Sequence, residues 1–303
     1  MAKEYKTQLH CAWIVGEITA SEIEALAAAG FEGVESRATQ NVDVKSAREA
    51  RRICEANGIK IHSVMCSGNL TNDAVADAEI AKLERGLAVA AEYGASSMLV
   101  VPGRIEPSPI SPKETKIEFD PETLELLSIG VDTPEASKYV AAQNAATRAV
   151  RRRLPKVFKT AAYEGIRIGI ENVWNNLWIS PEFYASFVHS FDSPWVGSYF
   201  DLGNHAKYSP TQNWLRALGK GTIVKMHFKD FLYEPETPSL GRFVPVGEGS
   251  NDWLAIRDVL EEIEYNGFLT IEFEEGESRK LTAEQHVRKF RNFFAGVPIL
   301  DGV

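Results

Sequence analysis

Along this chain, short apolar and β-branched runs alternate with stretches whose apolar residues recur every three to four positions, and the alternation keeps one character throughout. The runs predict strands at Gln8–Val15, Phe31–Ser36, Lys60–Met65, Ser97–Pro102, Ile166–Asn172, Trp195–Leu202, Thr222–Lys229 and Phe268–Phe273. Between and after them the pattern predicts a helix opening at Ser21, with Glu24 completing a capping box, and helices at Ser46–Asn57, Asp73–Tyr93, Glu135–Glu164, Pro181–Phe191, Thr211–Leu218, Asp252–Asn266 and Ala283–Phe294. Gly30 and Gly58 stand where the first two helices must stop. One segment breaks the rhythm. Ile105–Pro134 holds five of the fourteen prolines and little periodicity, so it reads as a long loop after the fourth strand, placed to cover the mouth of the fold.

Eight strand–helix units in 303 residues suit one α/β domain over 1–303, a parallel (β/α)₈ barrel, with a doubly wound open sheet as the alternative because alternation alone does not show closure. The net charge of −9 opposes a phosphodiester backbone, so no nucleic acid partner is expected. Cys11, Cys54 and Cys66 form no C-x-x-C pair and leave an odd thiol, which suits a reducing compartment. No apolar run reaches the length of a membrane span. The expectation is a cytoplasmic protein with no membrane partner.

Four consecutive predicted strands end on an ionisable residue: Glu171, Asp201, His227 and Glu272. Alternation along a strand puts each on one face with Gly169, Tyr199, Lys225 and Thr270, while Ile168, Ile170, Phe200, Val224, Met226, Leu269 and Ile271 take the other face, against the helices. Barrel active sites lie at the carboxyl ends of the strands. Three carboxylates and an imidazole converging there would repel one another unless a cation held them, which points to a divalent metal: Mn²⁺, Mg²⁺ or Co²⁺ by the oxygen-rich donor set, or Zn²⁺. Glu35 repeats the placement on the second strand, either in the cavity or paired with a base. His62 lines the cavity or packs in the core, and Trp174 walls a sugar site or packs on a helix.

The pieces IGIENVWN, YFDLGNHAKY, KMHFKD, FVPVGEGSNDW and GFLTIEFEEG make most of the chain resemble the xylose isomerase-like barrel superfamily. The ENVWN and FDLGN forms look most like its hexulose-phosphate isomerase and ketose 3-epimerase members. The resemblance implies that Glu171, Asp201, His227 and Glu272 ligate one divalent metal ion and that Glu171 and Glu272 are the catalytic acid/base pair. It also places His205 and Arg242 in substrate binding; Lys229, Glu35, His62 and Trp174 are further substrate-site candidates by their positions and chemistry alone. The implied activity is a metal-dependent isomerase or epimerase of a ketose or ketose phosphate in carbohydrate metabolism, working through an enediolate. Family members often form homo-oligomers.

Two other activities follow from the same resemblance. A lyase or dehydratase acting on a cyclitol or keto-glycoside would share the enediolate, and the long proline-rich segment is in keeping with a larger substrate. An abasic-site endonuclease shares the barrel, but its chemistry uses a histidine-rich trinuclear zinc cluster, and this chain has six histidines and an acidic balance.

Overall fold

In the computed structural model, described for residues 3–37, 42–106, 116–272 and 281–299, eight parallel strands close into a barrel. The barrel strands are β1 (Leu9–Val15), β2 (Gly33–Ser36), β3 (Lys60–Met65), β4 (Ser97–Val100), β7 (Arg167–Glu171), β8 (Val196–Asp201), β9 (Ile223–Phe228) and β12 (Gly267–Ile271). Closure is made by β1 against β12, where Leu9 pairs with Gly267 and Trp13 with Ile271. The open-sheet alternative is thereby excluded.

Around the barrel lie α1 (Ala20–Ala29), α2 (Val44–Ala56), α3 (Ala76–Glu92), α4 (Pro134–Arg153), α5 (Phe158–Glu164), α6 (Pro181–His189), α7 (Thr211–Leu218), α8 (Trp253–Glu262) and α9 (Ala283–Phe294). Their apolar faces and the outward strand residues, among them Ile168, Ile170, Phe200, Met226 and Leu269, form one continuous core. Such burial is worth roughly 1.5–3 kcal/mol for each large side chain.

Local chemistry explains where the elements start and stop. Thr19, not Ser21, caps α1, its side chain accepting the Glu22 amide, because the helix begins at Ala20, two residues ahead of where a Ser21 cap would start it. Gly30 ends that helix at φ 99°, a conformation in which an L side chain would be strained. Asp73, expected to open α3, instead pairs with Arg153, and the helix begins at Ala76. The predicted helix Glu135–Glu164 is broken by a 3₁₀ turn at Leu154–Val157, since Pro155 has no amide hydrogen to continue the ladder.

The segment expected as a loop is partly ordered into a hairpin of β5 (Glu118–Phe119) and β6 (Leu126–Ser128). Asn144 of α4 brackets Leu126, accepting from its amide and donating to its carbonyl, and Phe119 packs on Phe183 of α6. The described part is therefore docked on the outer helices. Residues 107–115, which hold three of its prolines, lie outside the described residues, as does Phe273 of the predicted last strand. A second hairpin, β10 (Asp230–Tyr233) with β11 (Gly241–Val244), rises after β9 where the periodicity showed no strands.

Candidate metal centre

Inward positions of neighbouring strands are brought level by register: Asp201 stands beside His227, and His227 beside Thr270, with Glu272 two residues further on. Glu171 completes the group from β7, next to β8. Gly169, below Glu171, has to be glycine, because a Cβ there would sit 2.8 Å from the Tyr199 Cβ.

Glu171, Asp201, His227 and Glu272 each present one donor atom, and these four atoms lie within 4.8 Å of one another. The His227 Nδ1 is 2.9 Å from Glu272 Oε2, 3.5 Å from Glu171 Oε1 and 3.6 Å from Asp201 Oδ2. His227 Nδ1, Asp201 Oδ2 and Glu272 Oε2 are all buried without a hydrogen bond of good geometry. Buried polar atoms are rarely left so. Donors around an ion at 2.0–2.2 Å lie within about 4.4 Å of each other, so a small contraction would let this set fit a divalent cation. Three carboxylates and one imidazole are a donor set for such an ion, and they do not by themselves decide which.

The electrostatics fit a cluster assembled for positive charge. Burial pushes the Glu171 carboxyl up to about 7, against the pull of His227. Burial likewise raises Asp201, opposed by the nearby Lys229 ammonium. Burial alone would lower His227, yet the Glu272 and Glu35 carboxylates hold its imidazolium well above the usual range. Burial would raise Glu272, but His227 and Lys229 outweigh it and keep it ionised. Lys229 Nζ is 3.3 Å from Glu272 and 3.7 Å from Asp201, so the cluster carries its own ammonium group at the rim.

The other candidates divide sharply. Glu35 is fully buried behind His227 and not in a substrate space: its Oε2 lies 2.9 Å from His227 Nε2 and accepts the Tyr199 hydroxyl at 2.7 Å. His62 is also fully buried, stacked on Phe268 with its Nε2 2.9 Å from the Thr270 hydroxyl, and so is a core histidine. Arg242 faces away from the cluster, because its neighbour Phe243 turns towards Trp174 and Lys229 and alternate residues of β11 take opposite faces; Arg242 pairs with Glu234 instead. His205 is buried between Tyr208 and Trp214, its Nε2 3.2 Å from the Val173 carbonyl, and burial lowers it to about 3, so it stays neutral. Trp174 donates from its indole to the Asn204 carbonyl, and its ring lies against Phe243 of the second hairpin.

Two asparagines matter that strand alternation did not single out. Asn172 brackets the backbone of Asp201, accepting from its amide and donating to its carbonyl. The amides of Gly203 and Asn204 both donate to Asp201 Oδ1 at 2.7 Å, while the Asn204 side chain reaches Glu171 and accepts from Lys229. Their signal was present in the ENVWN and FDLGN pieces, where each asparagine sits within three residues of a cluster carboxylate.

A closed parallel barrel with an acidic, histidine-containing cluster at the carboxyl ends of its strands defines a class of barrel enzymes. Residues 23–293 match the model of the xylose isomerase-like TIM barrel family, and the chain belongs to that family. An uncharacterized protein of Methanocaldococcus jannaschii is 31% identical over 126 residues, 39% of this chain, and the match spans only 41% of that protein's length. A D-psicose 3-epimerase solved in the presence of D-fructose is similar at a TM-score of 0.68 and 16% identity, covering 95% of this chain and 99% of that one. The mannonate dehydratase of Streptococcus suis serotype 2 is similar at a TM-score of 0.67 and 14% identity, covering 95% and 94%. At these identities the solved structures show a shared fold.

Proposed function

We propose that this chain is a divalent-metal-dependent isomerase or epimerase of a ketose or ketose phosphate. The observation that carries the reading is the convergence of Glu171, Asp201, His227 and Glu272 at the barrel mouth, with three of their donor atoms buried and unbonded. These four residues would hold one ion, Mn²⁺, Mg²⁺, Co²⁺ or Zn²⁺. When bound, the ion supplies Lewis-acid stabilisation of the negative charge that gathers on a substrate's carbonyl and neighbouring hydroxyl oxygens.

Glu171 and Glu272 reach the cluster from different sides of the barrel, from β7 and from the end of β12. One takes the proton on the carbon next to the carbonyl, and the other delivers a proton. Delivery to the opposite face of the same carbon inverts it; delivery to the neighbouring carbon interconverts aldose and ketose. Lys229, fixed by Asn204 and the two carboxylates, presents an ammonium to a substrate oxygen. Trp174 and Phe243 give the mouth an apolar wall suited to a sugar face.

Proton exchange in D₂O followed by NMR tests this, with ketoses, ketose phosphates and keto-glycosides offered to metal-loaded and chelated protein. Deuterium appearing next to the carbonyl only in the loaded sample is the expected result. Exchange unaffected by chelation, or no ion bound at all, would sink it. The similarity to a dehydratase barrel favours a second reading, elimination of water from a cyclitol or keto-glycoside through the same proton abstraction. A product lighter by one water separates the two. The endonuclease reading is weakened because, of six histidines, only His227 joins the cluster.

A further inference from the structure

The opposite end of the barrel has a charge pattern that the proposed chemistry does not use. The inward side chains nearest the amino-terminal ends of three strands are cations: Lys60 on β3, Arg167 on β7 and Lys225 on β9. Beside Lys225, at the same end of the barrel, stands Phe268 of β12. It stacks on His62 with centroids 4.4 Å apart, lies 5.1 Å from His10 and 5.7 Å from Lys225 Nζ, and comes within 2.5 Å of where a Cβ on Gly33 would be.

None of the three cations has an ion-pair partner among the described residues. Arg167 is fixed by backbone carbonyls, donating through Nε to Pro194 and through Nη2 to Gly221, and its guanidinium runs beneath Gly197. Those bonds orient it but leave its charge uncompensated. Lys60 and Arg167 repel the Lys225 ammonium, and the carboxylate that attracts it, Glu35, already accepts Tyr199 and lies against His227. Glu32, which precedes Gly33 at this end of the barrel, lies against His10 at 2.6 Å. Gathering like charges on half-buried side chains is unfavourable, and in a chain of net charge −9 it runs against the overall balance.

We propose that the floor of the barrel is an anion-binding site, separate from the cluster at the mouth, in which Lys60, Arg167 and Lys225 take a phosphate-like oxyanion. Lys60 is exposed and the other two half-buried, so the site opens to solvent at the amino-terminal face. The guanidinium supplies directional donors, and the two ammonium groups supply point charge. Either inorganic phosphate or the phosphoryl group of a phosphorylated metabolite meets this chemistry.

Thermal unfolding of the full chain, titrated with inorganic phosphate against chloride at constant ionic strength, tests the site, with a hexose 6-phosphate as a second arm. Saturation near a hundred times Kd should raise Tm by about 5 °C. Lys225→Met should abolish that rise and also raise the phosphate-free Tm, since it removes a repelled cation without opening a cavity. Lys60→Gln, at an exposed position, should weaken phosphate binding about tenfold. Lys229→Met should leave the rise intact, because that lysine stands at the mouth. A response only to the sugar phosphate that is lost in Lys225→Met and kept in Lys229→Met would assign the site to a metabolite, and one lost in Lys229→Met and kept in Lys225→Met would place the binding at the mouth and overturn the proposal. No saturable rise in the wild-type chain, or a rise lost in Lys229→Met and kept in Lys225→Met, would overturn the proposal while leaving the reading of the mouth untouched.

Discussion

His227 is held from behind by Glu35: the carboxylate lies 2.9 Å from Nε2, which leaves Nδ1 facing Glu171, Asp201 and Glu272. An acceptor on one ring nitrogen fixes the tautomer and orientation of the other, the arrangement found behind histidines that ligate metals. Tyr199 in turn fixes Glu35. Removing this support should therefore act through the ion. Glu35→Ala is expected to weaken Mn²⁺ or Zn²⁺ binding 10–100-fold by calorimetry, with Glu35→Gln intermediate because it keeps an acceptor.

Replacing either glutamate of the proposed acid/base pair should cost far more in turnover than in folding. Glu171→Gln and Glu272→Gln are each expected to slow metal-dependent deuterium exchange by about 10²–10⁴-fold. Retention of full exchange by both would exclude them as the proton carriers. Circular dichroism melting of Glu171→Gln should stay close to wild type, since burial already disfavours that carboxylate, whereas Glu272→Gln loses its pairing with His227 and Lys229 and should melt somewhat lower.

Ion loading should stabilise the fold. Binding at about a hundred times Kd adds roughly 2.7 kcal/mol, which for a chain of this size raises Tm by about 5 °C. Chelation should reverse the shift, and Asp201→Asn should largely remove it. A Tm indifferent to Mn²⁺, Co²⁺, Mg²⁺ and Zn²⁺ would contradict the assignment of the cluster.

Asp230 anchors the hairpin that carries Phe243 over the site. Its carboxylate accepts the amides of Phe231, Gly247 and Gly249 and the Trp253 indole, all at 2.9–3.0 Å. Alanine there would leave four donors without their acceptor. We expect Asp230→Ala to lower stability by about 3 kcal/mol in urea unfolding.

Acid sensitivity should appear at the amino-terminal strap. Burial works against the Glu261 carboxylate, but the Thr7 hydroxyl and the Lys6 and Thr7 amides outweigh it and bring its pKa down to about 2. A group with a depressed folded pKa contributes stability above its unfolded value, near 4.3, and loses that contribution as pH falls towards 2. Glu261→Gln should thus cost about 1 kcal/mol at pH 7, reduced by solvent screening, and converge with wild type near pH 2. An equal difference at both pH values would show that the charge is not involved.

What the sequence determined by itself was the eight barrel strands and the face that each residue of a strand takes. A pleated strand alternates its side chains whatever surrounds it, so Glu171, Asp201, His227 and Glu272 could be placed together on the inward face, opposite Ile170, Phe200, Met226 and Ile271. Closure, depth and partnership were decided only by tertiary structure. How far up the barrel an inward residue stands depends on stagger between strands, and the pairing slips between Val34 and Glu35 and again between Ser198 and Tyr199. That is why Glu35 lies behind His227 instead of beside the substrate space, and His62 in the core. Arg242 was misplaced for a related reason: the hairpin β10–β11 turns it outward, and no periodicity marked those four-residue strands. Alternation along a strand is local, whereas register and hairpin docking come from contacts between residues far apart in the chain.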